Sequence, residues 1–239
     1  TFASLTLAHD FLRQQGRDDL RICGLNAFDP QQGLLLLPRL EWRRLGGSAT
    51  LRLVLSSESS LRDDARAARE FLDSLTAKQA QATAMPSLLS EQHFPAYPQW
   101  RALITQATQA IAAGEMDKVV LARATDLHFA APLNAGSIMA ASRRSNLNCF
   151  HFLMAFTPRE AFVGSTPERL WRRRGALLRT EALAGTVASH ADDRQAQRLG
   201  NWLMGDDKNQ RENMLVVEDI CQRLQGETRA LEVLPPQLV

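Results

Sequence analysis

The sequence predicts an α+β fold built on antiparallel sheet, and three observations carry that expectation. Apolar residues recur at helical spacing, as in Phe2, Leu5, Ala8, Phe11 and Leu12, and in Leu61, Ala65, Ala68, Phe71, Leu72 and Leu75. Short apolar or alternating runs bounded by turn residues mark strands between these segments. Many strands follow one another through short turns rather than alternating strictly with helices, which favours antiparallel layering over βαβ units.

Element by element, a helix is expected over 2–15 and strands over 20–27 and 33–39. Leu40 to Ser56 reads as a hairpin, with Gly46-Gly47 as its turn and Leu51, Leu53 and Leu55 alternating afterwards. An amphipathic helix covers 60–76 behind a Ser59/Ser60 cap. Residues 77–98 are polar or broken by Pro86, Pro95 and Pro98, and are expected to link an N-terminal α+β portion, 1–98, to a second region, 99–239. There, Trp100, Leu103, Ile104, Ala107 and Ile111 mark a helix stopping at Gly114. A buried strand is expected from Lys118 to about Phe129, a helix near 134–145, and strands at Cys149–Phe156, 161–173 and 176–183. Helices over 192–204 and 207–225 complete the reading.

Composition removes several functions. A net charge of +2 with 23% charged residues gives no global bias toward nucleic acid or an anionic membrane. The densest basic run, Arg169 to Arg174, reads as a solvated strand face. No apolar run reaches membrane-spanning length. Cys23, Cys149 and Cys221 are scattered, and charged residues crowd the first twenty positions, so a soluble, cytoplasmic protein with reduced thiols is expected. The five histidines show no paired metal spacing and read as structural or surface residues.

Four segments carry candidate chemistry. Lys118 opens an apolar run (Val119, Val120, Leu121) that would supply a neutral amine if it were dry enough to lower the lysine's pKa. Glu168 follows Pro167 in a turn, with Arg169 beside it as a surface partner, and acts as a general acid only where burial or a second carboxylate raises its pKa. A lysine base facing a carboxylic acid suits water activation on one side of a small molecule and leaving-group protonation on the other. Glu212 lies in an acidic, amide-rich helix start. Periodicity sets Met214, Val217, Ile220, Cys221 and Leu224 inward and turns Glu212, Asp219 and Arg223 to water, so a magnesium role needs the polar face to line a cleft. Thr180 to Thr186 ends a strand at Gly185, where the chain either turns or brings backbone N–H groups close to a ligand.

In order along the chain, these segments resemble the chorismate-utilising enzymes, and within them the isochorismate synthases of menaquinone biosynthesis in enterobacteria. The likeness rests on Gly24-Leu25-Asn26-Ala27-Phe28-Asp29-Pro30, the Lys118 segment, Ala140 to Arg144, Glu168 to Arg174 and Lys208 to Arg223. It implies an antiparallel β-sandwich flanked by helices. It further implies that Lys118 activates water for attack at C2 of chorismate, that Glu168 protonates the departing C4 hydroxyl, and that Glu212 helps hold Mg²⁺. Leu183, Ala184, Gly185 and Thr186 would line the substrate pocket. Members that use ammonia usually carry glutamine at the Lys118 position, and aminodeoxychorismate synthases often carry lysine at the Ala184 position. The pair present here therefore points to isochorismate formation, with salicylate formation as the alternative. Family members extend past the position of Val239, so the resemblance implies a chain cut at both ends, with an incomplete magnesium site and little activity of its own. A non-catalytic interaction remnant of the family is the reading from another class.

Overall fold

A computed structural model describes residues 1–17, 19–29, 31–57, 60–75 and 84–238. The chain forms two compact units, Thr1–Gln81 and Ala82–Val239. They part within the stretch expected to link two domains.

In the first unit, Ser4 caps α1 (Leu5–Gln15) by accepting the Leu7 N–H at 3.3 Å, and Gly16 ends it with φ 59°. The antiparallel pair β1 (Cys23–Asn26) and β2 (Gly33–Leu36) follows, and Phe2 bridges to Leu35. The Phe2 and Phe11 rings stand 5.2 Å apart, which ties the chain start to α1. β3 (Leu40–Leu45) and β4 (Ser48–Leu53) form the expected hairpin, with Gly46 at φ 57° in its turn. α2 (Leu61–Ser74) closes the unit. Ser60 stands at its N-cap without a side-chain cap bond, and Ser59 lies outside the described residues.

The second unit begins with β5 (Leu88–Phe94), a strand inside the expected linker. β5 pairs antiparallel with β6 (Ala124–Phe129) and is followed by α3 (Tyr97–Ala112). The prolines bound β5 rather than breaking it, because Pro86 precedes it and Pro95 follows it. The strand expected from Lys118 starts only at Ala124, opposite Phe94. Beyond Phe94 the chain turns through Pro95, which has no N–H, into α3, so Lys118–Arg123 has no paired neighbour among the described residues.

Asn134 caps α4 (Ala135–Ser145) by accepting the Ser137 N–H at 2.9 Å. β7 (Phe150–Thr157) and β8 (Glu160–Thr166) form a hairpin in which His151 pairs with Ser165. The long strands expected at 161–173 and 176–183 are interrupted: β8 stops at Thr166, and only β9 (Arg172–Arg174) and β10 (Leu177–Arg179) pair afterwards. Pro167 supplies one reason, since it cannot donate to a ladder. α5 (Asp193–Gly205) and α6 (Asp207–Leu224) meet at Asp206. Its Oδ2 accepts both the backbone and the side-chain N–H of Asn209, at 3.0 and 2.7 Å.

The α+β, antiparallel expectation holds, and the ten strands among the described residues are arranged as five two-stranded ladders. Only Ala8, Leu35 and Ala68 form a fully buried apolar set among the described residues. Aromatic residues on β7 and β8 are open, with Phe150 49% and Phe162 53% exposed. No helix among the described residues is long and apolar enough to cross a membrane.

Candidate active site

The N-terminal half of α6 organises the candidate site. Helical geometry stacks Asn209 and Asn213 on one face, with Glu212 one position to the side. Asn213 Nδ2 donates to the Ala182 carbonyl at 2.9 Å. Asn209 stands against Gly185, where a Cβ would lie 3.2 Å from Asn209 Oδ1. Gly185 has φ 84°, so both its backbone angle and its neighbour require a residue without a side chain. The stretch 182–185 thus runs along α6 in the opposite direction, and Thr180 through Gly185 is half-buried.

Glu212 extends from the same face and meets Lys118: Nζ and Oε1 are 3.4 Å apart, and both side chains are partly covered. The water-facing orientation expected for Glu212 is therefore corrected. Apart from Met214, which is 54% exposed, the rest of that reading stands: Val217, Ile220, Cys221 and Leu224 are half-buried and Asp219 and Arg223 exposed, but Glu212 is also half-buried because Lys118 lies against it. The dryness that a lowered lysine pKa requires is not supplied by the apolar run, since Val120 is 81% exposed and Val119 41%. Partial cover of Lys118 comes with a carboxylate partner instead.

Glu168 lies just past the end of β8. Its backbone N–H donates to Thr166 Oγ1 at 3.1 Å, a local turn that sets the direction of the segment, and its side chain is exposed. No hydrogen bond or ion pair among the described residues joins its carboxylate to Lys118 or Glu212. Arg169 is not its partner. That guanidinium donates to Glu181 Oε1 at 2.9 Å and lies 5.1 Å above the centre of the Phe150 ring. Thr180 Oγ1 also donates to the Leu170 carbonyl at 2.7 Å. These bonds connect the Glu168 turn to Glu181 and Ala182, and through Asn213 to the helix that carries Glu212. The expected solvated face is accordingly limited to Arg172–Arg174 of β9, all exposed.

The structure therefore joins Lys118 directly to Glu212, sets Ala182–Gly185 against α6, leaves Thr186 exposed, and links Glu168 to the set through its neighbour Arg169. Sequence reasoning missed Glu181, Asn209 and Asn213. Their signal is weak, because amides and a strand-end glutamate announce nothing until the 180–185 segment is placed beside α6.

As a donor set for a divalent cation, the site offers the Glu212 carboxylate. No group of three or more His, Cys, Asp or Glu among the described residues is placed to hold a metal. One carboxylate is a fitting but partial donor set for Mg²⁺, in line with the incomplete site expected: water and substrate oxygens, with a second carboxylate in many sites, complete its shell.

The antiparallel α+β scaffold thus carries a lysine–carboxylate pair beside a close-packed glycine loop. The chain belongs to the chorismate binding enzyme family, which it matches over residues 22–239. It is 65% identical to the isochorismate synthase MenF of Escherichia coli over the whole chain, covering 56% of that protein. It is 37% identical to MenF of Pasteurella multocida over 94% of the chain and 51% of that protein. The solved structure of Escherichia coli MenF, a menaquinone-specific isochorismate synthase, superimposes with a TM-score of 0.93 at 64% identity, covering 100% of this chain and 56% of that one. DhbC from Bacillus anthracis, at 18% identity and TM-score 0.63 over 92% of this chain and 52% of that one, shares the fold alone. The chain spans about half the length of the relatives it matches.

Proposed function

We propose that the protein carrying this chain is an isochorismate synthase, acting on chorismate in the cytosol to supply menaquinone biosynthesis. The observation that carries the reading is the pairing of Lys118 with Glu212 beside the Ala182–Gly185 loop, in a chain 65% identical to a known isochorismate synthase.

The reaction balances without an external oxidant or reductant. Water oxygen bonds to C2 of the ring, the ring double bonds shift, and the C4–O bond breaks. Lys118 takes the proton that water loses, and Glu168 gives a proton to the departing hydroxyl, which leaves as water. An ammonium engaged with a carboxylate has no lone pair, so Lys118 works as a base only when it is not held as that ion pair. When bound, Mg²⁺ held by Glu212 would anchor the substrate's ring carboxylate and offset its charge. Leu183, Ala184 and Gly185 would form one wall of the pocket, with Thr186 at its open end. Ala184 brings no amine, so the ring meets no covalent nucleophile there.

The test is a chimera in which residues 1–239 replace the matched part of the Escherichia coli relative. Lys118→Ala and Glu168→Gln should each lower chorismate turnover by about 10²-fold or more. Near-normal turnover in either variant refutes the role assigned to that residue. Salicylate with pyruvate, in place of isochorismate, would move the assignment to the salicylate-forming enzymes, which share the first step.

A further inference from the structure

A second polar cluster lies behind the Glu168 turn. Ser165 Oγ on β8 stands 2.7 Å from Ser142 Oγ on α4 and 2.8 Å from His151 Nδ1 on β7. Asn146, just past α4, donates through Nδ2 to Ser142 Oγ at 3.0 Å and to the Ser142 carbonyl at 3.1 Å. Three elements thus converge on one hydroxyl. The arrangement that uses each hydroxyl proton within the cluster runs Asn146 to Ser142 to Ser165 to His151, with Nδ1 accepting and the ring proton on Nε2. Such a directed chain is stiffer than its separate bonds, because each bond polarises the next.

Ser165 is followed at once by Thr166, whose Oγ1 accepts the Glu168 N–H. Cover falls away over the same steps: Ser165 and Thr166 are half-buried, whereas Pro167 and Glu168 are exposed. Thr166 is the last residue paired in the β7–β8 ladder, opposite Phe150, and Ser165 beside it is the last one before the proposed acid whose side chain is held from two other elements; Arg169 anchors the far side of the turn. We propose that Ser142, His151 and Ser165 form a positioning cluster that fixes the Thr166–Glu168 turn and so aims the Glu168 carboxyl at the leaving group. The aim at the leaving group rests on the acid role proposed above; the hold on the turn does not.

The deciding measurement is residue-resolved amide hydrogen exchange on the 239-residue chain. Ser165→Ala should speed exchange at Glu168 about tenfold while Leu153 and Val163 in the β7–β8 ladder keep their protection. Ser165→Thr, which retains the hydroxyl, and His151→Asn, which retains an acceptor near Nδ1, should each stay close to the parent rate. Unchanged exchange at Glu168 overturns the proposal. Equal acceleration along the whole hairpin also overturns it, because the cluster would then be holding the fold rather than the turn. In the chimera, Ser165→Ala should lower kcat about tenfold at unchanged KM, with no further loss in a Glu168→Gln background. A loss of equal size in both backgrounds contradicts action through Glu168. Full turnover of Glu168→Gln alone would remove the acid role yet leave the exchange result standing.

Discussion

Lys118 Nζ lies 3.4 Å from Glu212 Oε1, with 28% of the lysine side chain and 39% of the glutamate side chain exposed. The proposed base and the proposed metal ligand thus hold each other. On this account a divalent cation and the Lys118 ammonium compete for one carboxylate. Lys118→Ala should tighten Mg²⁺ binding by about fivefold, equivalent to the ~1 kcal/mol of a partly exposed ion pair. Glu212→Ala should abolish that binding in calorimetric titration. Equal affinity in the parent chain and Lys118→Ala would place the metal elsewhere.

Gly185→Ala should destabilise the second unit by about 1 kcal/mol or more, because alanine resists φ 84° and its methyl would press on Asn209. A shift of the urea midpoint at unchanged slope checks this. Gly205→Ala is the control, since its added Cβ meets nothing within 4 Å and its position is helical.

Asp219 on α6 is held below the ordinary carboxylate range, first by its hydrogen bond from Arg223 and then by that residue's charge, with desolvation acting the other way. The sign follows from the lowered value. Any stability that Asp219 contributes is present above its unfolded pKa and is lost as pH falls through its folded one. Carboxyl-carbon NMR should therefore show Asp219 titrating below an ordinary aspartate, and Arg223→Gln should return it toward the ordinary value. An unchanged titration in Arg223→Gln contradicts the assignment.

Much of the scaffold was legible because local signals agreed. Gly46-Gly47 between alternating leucines fixed the β3–β4 hairpin, and the stripe from Leu61 to Leu75 fixed α2. The Lys118 strand was misplaced for a non-local reason. Val119, Val120 and Leu121 have the composition of a strand, but a strand needs a neighbour, and β5 ends at Phe94. Glu212 was misoriented because an apolar stripe predicts burial only where something packs against it. On α6 the Lys118 segment and the 182–185 loop both bring polar groups to the side that carries Glu212. His151 read as a structural or surface residue because its partner, Ser165, is identified only by the β7–β8 register.

The measurement that tests the central claim most directly is chorismate turnover by the chimera in H₂¹⁸O with Mg²⁺, with products separated and weighed by mass spectrometry. The account predicts isochorismate carrying one ¹⁸O at C2, formed by the parent residues and lost in Lys118→Ala. Isochorismate without the label, or labelled product from Lys118→Ala at the parent rate, would contradict it.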